Sequence, residues 1–268
     1  YARVVAQTAR ALKNINHQGV AHVHRVGLTR HRLAIVREDF GLAARPYIVQ
    51  AARPVAEDMI EISLKPLAEA IAITPGQFVL VAFFSGPTFR GCGEFHPFTV
   101  SALGADGEIR LGVKALGDCT RKIQSIQPGV MARVQGAFGN FLTERAGAPQ
   151  LWVAGGIGIT PFIARMKALA GATDGKTIDL FHPTAVYDEH AIGLMTRDAE
   201  AAGVRLHVLW SQRDGLLNAA RLTGQVPDWQ DADIWFCGPA PFGQSLKKDL
   251  MAMGLPQGRF HQELFQMR

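Results

Sequence analysis

Three closely spaced glycines stand between an apolar run and a helical pattern, an arrangement that suits phosphate binding. The apolar run at 151–154 has the length of a buried strand, and apolar residues recur at helical spacing after it. Glycine lets a backbone approach a pyrophosphate, and the first turn of a helix offers N–H groups and a positive dipole end. The spacing is not G-x-G-x-x-G, so a tight turn between a core strand and a core helix is the alternative. The residues that would line the phosphate site are Gly155, Gly156, Gly158, Ile159, Thr160 and Pro161.

Other chemically useful side chains stand where a parallel sheet would gather them. After residue 147, strands are predicted at 150–154, 177–182, 204–210 and 233–237, and helices at 160–170, 189–202 and 241–253. This alternation predicts a parallel α/β sheet, which binds ligands at the carboxyl ends of its strands. The glycine stretch, the pair Ser211 and Arg213, and the run Cys237-Gly238-Pro239 all follow predicted strands and therefore belong to that edge.

A different pattern fills residues 46–146. Ile60, Ile62 and Leu64 alternate with polar residues, as in a half-buried strand. Further strands are predicted at 78–84, 98–102, 108–114 and 131–135, with turn residues between them and a helix after Thr120. Short strands at these intervals predict a small antiparallel β-barrel that precedes the α/β domain.

The positive charge of the chain is concentrated near its start. The 268 residues carry a formal charge of +5, and residues 1–45 hold eight basic and two acidic side chains. The remainder is close to neutral, which disfavours a nucleic-acid-binding face on the folded part. Apolar residues make up 48%, enough for a buried core, and no apolar run reaches the roughly 18 residues of a membrane span. A short amphipathic helix is predicted at 1–16 and a more extended segment at 20–37.

The cysteines and histidines predict no metal site. Cys92, Cys119 and Cys237 lie far apart without a C-x-x-C pair, which predicts neither a disulfide framework nor a zinc site and suits a reducing compartment. His17 and His31 have the spacing of two haem ligands on one helix, but the glycines and arginines between them disfavour a membrane helix. We expect these histidines to be solvated or interfacial, and we expect neither a metal nor a catalytic triad on this chain.

Six short motifs follow one another within residues 46–268. In order they are His96-Pro97-Phe98-Thr99, V-K-A-L-G-D-C-T at 113–120, G-A-F-G-N-F at 136–141, G-G-I-G-I-T-P at 155–161, Cys237-Gly238-Pro239 and F-H-Q-E-L-F at 260–265. Their kind and order resemble the ferredoxin–NADP reductase superfamily, most closely the dehydrogenase part of bacterial ferric reductases and NADPH oxidases. The resemblance implies an FAD-binding β-barrel domain at 46–146 and an NAD(P)-binding α/β domain at 147–268, after a basic linker at 1–45. Ala137 departs from the family's G-P-Y-G-x-F, and three residues follow Phe265, where the oxidases end.

The resemblance implies that two segments of the barrel hold FAD. Phe98 would stack on the flavin ring, and Thr99 would hydrogen-bond the ring edge near the atom that accepts hydride. The second segment would cradle the pyrophosphate at a strand end and a helix start. The alternatives are that Phe98 is a core residue on an edge strand and that Lys114 is solvated. The implied FAD-binding residues are His96, Pro97, Phe98, Thr99, Val113, Lys114, Gly117 and Thr120.

The resemblance also implies contacts to NAD(P)H. The stretch 155–161 would contact its pyrophosphate and nicotinamide side, and Cys237 would lie beside the nicotinamide. Phe265 would cover the flavin face that the nicotinamide must reach. Ser211 and Arg213 fit a 2′-phosphate, which favours NADPH over NADH. The alternatives are that Cys237 is a buried core cysteine, that Phe265 is a core residue of the last strand, and that Arg213 is a solvated arginine.

The implied function is that of an FAD-dependent NAD(P)H oxidoreductase. Hydride would pass from NAD(P)H to FAD, with Thr99, Cys237 and Phe265 as the catalytic residues, and single electrons would then pass to a haem or ferric acceptor. The alternatives are a soluble reductase that serves a ferredoxin, a flavodoxin or an oxygenase, and an FAD-binding electron-transfer subunit without nicotinamide chemistry.

The location of the implied enzyme follows from the same resemblance. Because the chain begins with Tyr1, we expect it to be part of a longer protein with a haem-bearing membrane domain upstream. The basic residues of 1–45 would then lie beside the last membrane span, on its cytoplasmic face.

Overall fold

The computed structural model describes residues 23–29, 32–37, 43–141, 149–171, 175 and 177–264. Strands β1 (Val23–Thr29) and β2 (Arg32–Arg37) pair antiparallel near the start of the chain. This hairpin confirms extended backbone in the segment predicted at 20–37. The predicted helix at 1–16 and Phe265 lie outside the described residues.

A closed barrel follows the hairpin. It is built from six antiparallel strands, which are β3 (Arg45–Ala56), β4 (Met59–Pro66), β5 (Phe78–Phe83), β6 (His96–Leu103), β7 (Ile109–Lys114) and β8 (Met131–Phe138). They close in the spatial order β3-β4-β7-β6-β5-β8. Alternate side chains point inward, so that Tyr47, Ile62 and Leu111 are fully buried in one apolar core. The antiparallel barrel that the strand pattern predicts is confirmed.

Helix α1 (Asp118–Ile123) joins β7 to β8 and is fixed to the barrel at its far end. Its last residue, Ile123, is buried in the barrel core. The side-chain amide of Gln124 donates to the carbonyl oxygen of Val113, 3.1 Å away. The helix start therefore has a defined position relative to the end of β7.

The second half of the chain forms a parallel sheet with helices on both faces. The strands are β9 (Gln150–Ala154), β10 (Ile178–Thr184), β11 (Arg205–Trp210), β12 (Asp233–Gly238) and β13 (Phe260–Leu264), in the order β11-β10-β9-β12-β13. Helices α2 (Thr160–Leu169) and α3 (Glu189–Ala202) pack on one face. Beyond the four-residue helix α4 (Ser211–Asp214), helices α5 (Ala219–Gln225) and α6 (Ala240–Ala252) pack on the other. The predicted parallel α/β sheet is confirmed.

Two helices of the parallel sheet touch the barrel. Helix α2 runs against β6, and helix α3 lies against β3. The carboxyl ends of the parallel strands, where α2 begins, therefore face the strand that carries His96-Pro97-Phe98-Thr99.

The cysteines depart from the sequence-based prediction. Cys92 and Cys119 form a disulfide with their Cα atoms 5.9 Å apart, whereas Cys237 is free and fully buried. The prediction of no disulfide is wrong because it rests on the distance along the chain. The fold brings the loop after β5 against the first turn of α1, although 27 residues separate the two cysteines.

Candidate active site

A cleft of about 510 Å³ lies between the barrel and the parallel sheet. The barrel side presents three basic side chains, Arg53, Arg110 and Lys114. The sheet side presents the glycine stretch at the start of α2, with Gly156 and Thr160. The cleft has the size of a cofactor pocket. Acidic side chains line it as well as basic ones, namely Glu57, Asp58, Glu61, Asp188 and Asp198. Of the predicted site residues, Lys114, Gly156, Ile159 and Thr160 line it.

Two glycine-bearing loops pack backbone to backbone at the ends of β9 and β12. The Gly155 N–H donates to the Cys237 carbonyl oxygen at 2.9 Å. A Cβ at Gly158 would lie 2.2 Å from that same oxygen, and one at Gly238 would lie 3.0 Å from the Gly155 Cα. Larger residues would therefore force the loops apart. The fold thus brings together two stretches, 155–161 and 237–239, that the sequence places about 80 residues apart.

Local contacts fix the position of the start of α2. The Thr160 hydroxyl donates to the Ile157 carbonyl oxygen at 2.8 Å, and its side chain is almost fully buried. Pro161 stands in the first helical turn, where the missing N–H costs no helix bond. The backbone of the loop, more than the threonine side chain, is therefore what an approaching phosphate would meet.

The segment His96-Pro97-Phe98-Thr99 lies at the start of β6, with His96 half-buried and Phe98 facing the barrel core. Phe98 belongs to the barrel core and is only 8% exposed, with its ring 6.4 Å from that of Phe83. Thr99 is also buried, while Pro97 is exposed. The alternative of a core phenylalanine therefore describes Phe98 in this structure, and its stacking role stays a prediction.

His96 carries an unsatisfied nitrogen. Its Nε2 atom is buried and has no hydrogen-bond partner among the described residues. The carboxylate of Glu94 lies 3.9 Å away, beyond hydrogen-bond distance. A buried polar atom without a partner is costly, so this nitrogen is suited to bind a polar group of a ligand.

The second predicted FAD segment is arranged around a capped helix start. The Thr120 hydroxyl oxygen accepts hydrogen bonds from the backbone N–H groups of Leu116 and Gly117, at 2.9 and 2.8 Å. Val113 is buried in the barrel core. A Cβ at Gly117 would meet open space. Thr120 therefore shapes the turn, and Lys114, which lines the cleft, is the charged group of this segment.

Glu263 is a candidate site residue that the sequence patterns do not single out. It pairs with Cys237 across β12 and β13, and its Oε2 atom is buried without a hydrogen-bond partner in the described part of the chain. Burial raises the pKa of Glu263 to about 7. Its Oε1 atom lies 3.4 Å from where a Cβ of Gly139 would stand, so it faces the turn after β8. The motif at 260–265 contains this carboxyl group, but the resemblance draws attention only to the terminal aromatic ring.

Cys237 sits beside this carboxyl group. Burial, with a contribution from the charge of Glu263, raises the pKa of the Cys237 thiol well above its usual value. The side chain is fully buried in the core cluster under α2. Cys237 therefore acts as a neutral, space-filling group at the loop junction, and this environment does not produce a thiolate nucleophile.

The predicted 2′-phosphate contacts lie on α4. Arg213 is 61% exposed and donates two hydrogen bonds of 2.9 Å to the carboxylate of Asp214, which raises the pKa of Arg213. Ser211 is the first residue of the same helix. Nearby, the rings of Tyr187 and Trp210 lie 5.7 Å apart. A phosphate at this position would have to draw the guanidinium of Arg213 away from its carboxylate partner.

Comparison with known proteins agrees with the barrel and the sheet. Residues 47–138 match a family described as an FAD-binding domain. The chain is 26% identical over 194 residues to an NADPH oxidoreductase of Mycobacterium tuberculosis, covering 70% of this chain and 51% of the relative. It is 25% identical over 240 residues to a flavohemoprotein of Burkholderia sp., covering 82% of this chain and 59% of the relative. The chain thus spans little more than half the length of these relatives.

Solved structures share the two-domain fold. The flavohem-like FAD/NAD binding domain of nitric oxide dioxygenase from Vibrio cholerae has a TM-score of 0.71 at 20% identity, covering 83% of this chain and 99% of that one. A ferredoxin NADP⁺ reductase from Neisseria gonorrhoeae with bound FAD and NADP has a TM-score of 0.67 at 15% identity, covering 83% and 98%. At these identities the similarity shows the fold.

Proposed function

We propose that the chain is an FAD-dependent NAD(P)H oxidoreductase of the ferredoxin–NADP reductase superfamily and that it delivers electrons singly to a haem or ferric acceptor. Bound FAD would supply the chemistry, namely hydride acceptance from a nicotinamide and release of single electrons. The observation that supports the proposal is the junction of the two halves, where α2, which begins at the packed glycine loops, runs against β6 of the FAD-family barrel. The chain's own residues bind, orient and shield the reacting groups there.

Residues of the barrel fit FAD. The unsatisfied Nε2 atom of His96 would bind a polar group of the cofactor, and Lys114 would offset the charge of the pyrophosphate. Gly117 leaves room beside the capped start of α1. Thr99 and Phe98 stay predicted neighbours of the flavin ring, on the same strand as His96.

Residues at the ends of β9, β12 and β13 fit a nicotinamide. Gly158 and Gly238 let the two loops pack directly against each other. We place the nicotinamide ring beside this junction, as the motifs at 155–161 and 237–239 predict. Glu263, with its pKa near 7, can hold a proton on a buried oxygen. When protonated it would donate a hydrogen bond to a carbonyl oxygen such as that of a carboxamide. Cys237 fills the space between these groups and limits the access of water.

We place the acceptor in a haem-bearing domain upstream on the same chain. The curated relatives that carry the name flavohemoprotein are longer than this chain, which leaves room in them for such a domain. The basic residues of 1–45 support a position at the cytoplasmic face of a membrane. Among the described residues, no helix is both long enough and apolar enough to span a membrane. A full-length protein without haem absorption would contradict this placement.

An acceptor assay tests the one-electron step. The purified chain, loaded with FAD, is given NADPH or NADH together with a ferric complex such as ferricyanide. We expect about two ferric ions to be reduced for each nicotinamide oxidised, because hydride carries two electrons. An enzyme that reduces quinones in single two-electron steps but leaves ferric complexes unreduced would contradict the proposal.

A further inference from the structure

The Cys92–Cys119 disulfide joins the two segments of the barrel that are predicted to hold FAD. Cys92 lies in the loop that leads into His96, and Cys119 lies in the first turn of α1, two residues after Gly117. We propose that this pair is a reversible thiol–disulfide exchange site that sets how tightly the chain holds FAD. The inference rests on the proposed function, because it takes FAD to be the ligand of both segments.

The loop around Cys92 is built to hold this cysteine in place. A Cβ at Gly91 would lie 2.3 Å from the Phe83 carbonyl oxygen, so only glycine allows the loop to fold back on the end of β5. The Gly91 N–H also donates to the Ser85 hydroxyl at 3.1 Å. Farther back, the Gly86 N–H donates to the Phe89 carbonyl oxygen at 2.8 Å. Cys92 is therefore presented from an anchored backbone.

Cys119 is held just as firmly from the other side. Ile123, at the end of its helix, packs in the barrel core, and Thr120 caps the start of the helix. Cys119 itself packs partly against the barrel core. Because both cysteines are held by local contacts, opening the disulfide leaves two thiols near each other that can close again.

Access separates this pair from the third cysteine. Cys92 and Cys119 are both half-buried, so a small thiol can reach them. Cys237 is fully buried and its thiol pKa is raised, which makes it inert to the same reagent. The chain thus exposes one redox-active pair within the described residues.

The co-reactant of this site is a dithiol. A thiolate of the dithiol attacks one sulfur of the Cys92–Cys119 bond, the bond breaks, and a mixed disulfide forms with the other sulfur leaving as a thiolate. The second thiol of the reagent then releases the first sulfur. Two electrons and two protons pass to the chain, which gains two thiols, and the reagent becomes a disulfide. A disulfide reagent reverses the step with the same balance.

Opening the link should weaken FAD binding. The disulfide holds the segment before His96 against the segment that begins at Gly117, so both are ordered before the ligand arrives. Without it, part of that ordering must occur during binding. We expect the Kd for FAD to rise between roughly threefold and tenfold on reduction.

The test compares FAD affinity in the two redox forms of the full 268-residue chain. The chain is equilibrated with oxidised or reduced dithiothreitol, its thiol state is established by alkylation and mass, and FAD is titrated by fluorescence. The Cys92→Ser/Cys119→Ser variant is treated identically, and its Kd should match that of the reduced chain and ignore the reagent. Because the effect is also read on the unchanged chain, poor folding of the variant does not obscure it.

Two results would overturn the inference. One is equal FAD affinity with the link open and closed, and the other is a chain that keeps three free thiols in oxidised dithiothreitol. A failure of the proposed function looks different, because neither redox form would then bind FAD. In that case the disulfide would still be visible by mass and by its effect on the melting temperature of the chain.

Discussion

Glu263 shows how a single buried group links stability to pH. Its unpartnered carboxyl group has a pKa raised by burial from 4.5 to about 7. Between these values the folded chain keeps a proton that the unfolded chain has lost. Stability is therefore fully present below about pH 4.5 and falls as the pH rises toward 7, by up to about 3 kcal/mol.

Replacing Glu263 by Gln should remove this pH dependence. We expect the wild-type chain to lose stability relative to Glu263→Gln between about pH 5 and about pH 8, because only the wild type must ionise a buried group. Urea unfolding at both pH values measures the difference, and Glu200→Gln, an exposed change on α3, is the matched control. A constant difference between wild type and Glu263→Gln would show that the group is not held protonated.

Arg213 and Asp214 make a second prediction at the residue scale. If the guanidinium of Arg213 binds a 2′-phosphate, Arg213→Ala should raise KM for NADPH about tenfold and leave KM for NADH unchanged. Asp214→Asn weakens the competing ion pair and should lower KM for NADPH. Steady-state kinetics with both nucleotides measures this. Equal effects of Arg213→Ala on the two nucleotides would remove Arg213 from cofactor selection.

Strand patterns predict most elements, and their failures have physical causes. Strand β3, which contains Pro46 and Pro54, is absent from the predicted strands, although the barrel includes it. Strand β13 carries His261, Gln262 and Glu263 and lacks a regular apolar alternation, yet it pairs in parallel with β12. Both strands depend on long-range pairing, which local patterns do not contain.

The site could be predicted less completely than its elements. The glycine loops and the strand with His96 follow from sequence motifs, and the structure brings the loops together. The disulfide and the raised pKa of Glu263 do not follow from motifs. The disulfide depends on which cysteines the fold brings together, and the pKa depends on burial. Phe98 shows the reverse case, since its motif predicts a ligand contact while its side chain packs in the core.

The packing of α6 on β12 supports the second glycine loop. A Cβ at Gly243 would lie 2.5 Å from the Phe236 ring, so Gly243→Ala should push α6 away from β12 and destabilise the chain by roughly 1–3 kcal/mol. Gly193→Ala in α3 meets open space and should be neutral or stabilising by up to about 1 kcal/mol. Urea unfolding of both variants measures this. Equal stabilities of the two variants would show that a Cβ at Gly243 does not push α6 away from the Phe236 ring.

At the scale of the whole molecule, we propose that the two halves of the chain bring two bound cofactors together. The barrel matches an FAD-binding family, and the start of α2, with Gly156 and Thr160, faces it across the cleft. Hydride transfer would therefore require the barrel and the sheet together, and a defect in the sheet loops should slow flavin reduction without loss of FAD.

Anaerobic stopped-flow reduction of the FAD-loaded chain by NADPH and NADH tests this claim most directly. We expect the flavin absorbance of the wild type to bleach with at least one nucleotide. Gly158→Ala, whose Cβ would meet the Cys237 carbonyl, should keep FAD but bleach at least about tenfold more slowly, whereas Gly258→Ala, which meets open space, should react like the wild type. A folded, FAD-loaded wild type that neither nucleotide bleaches, or a Gly158→Ala chain as fast as wild type, would contradict the account.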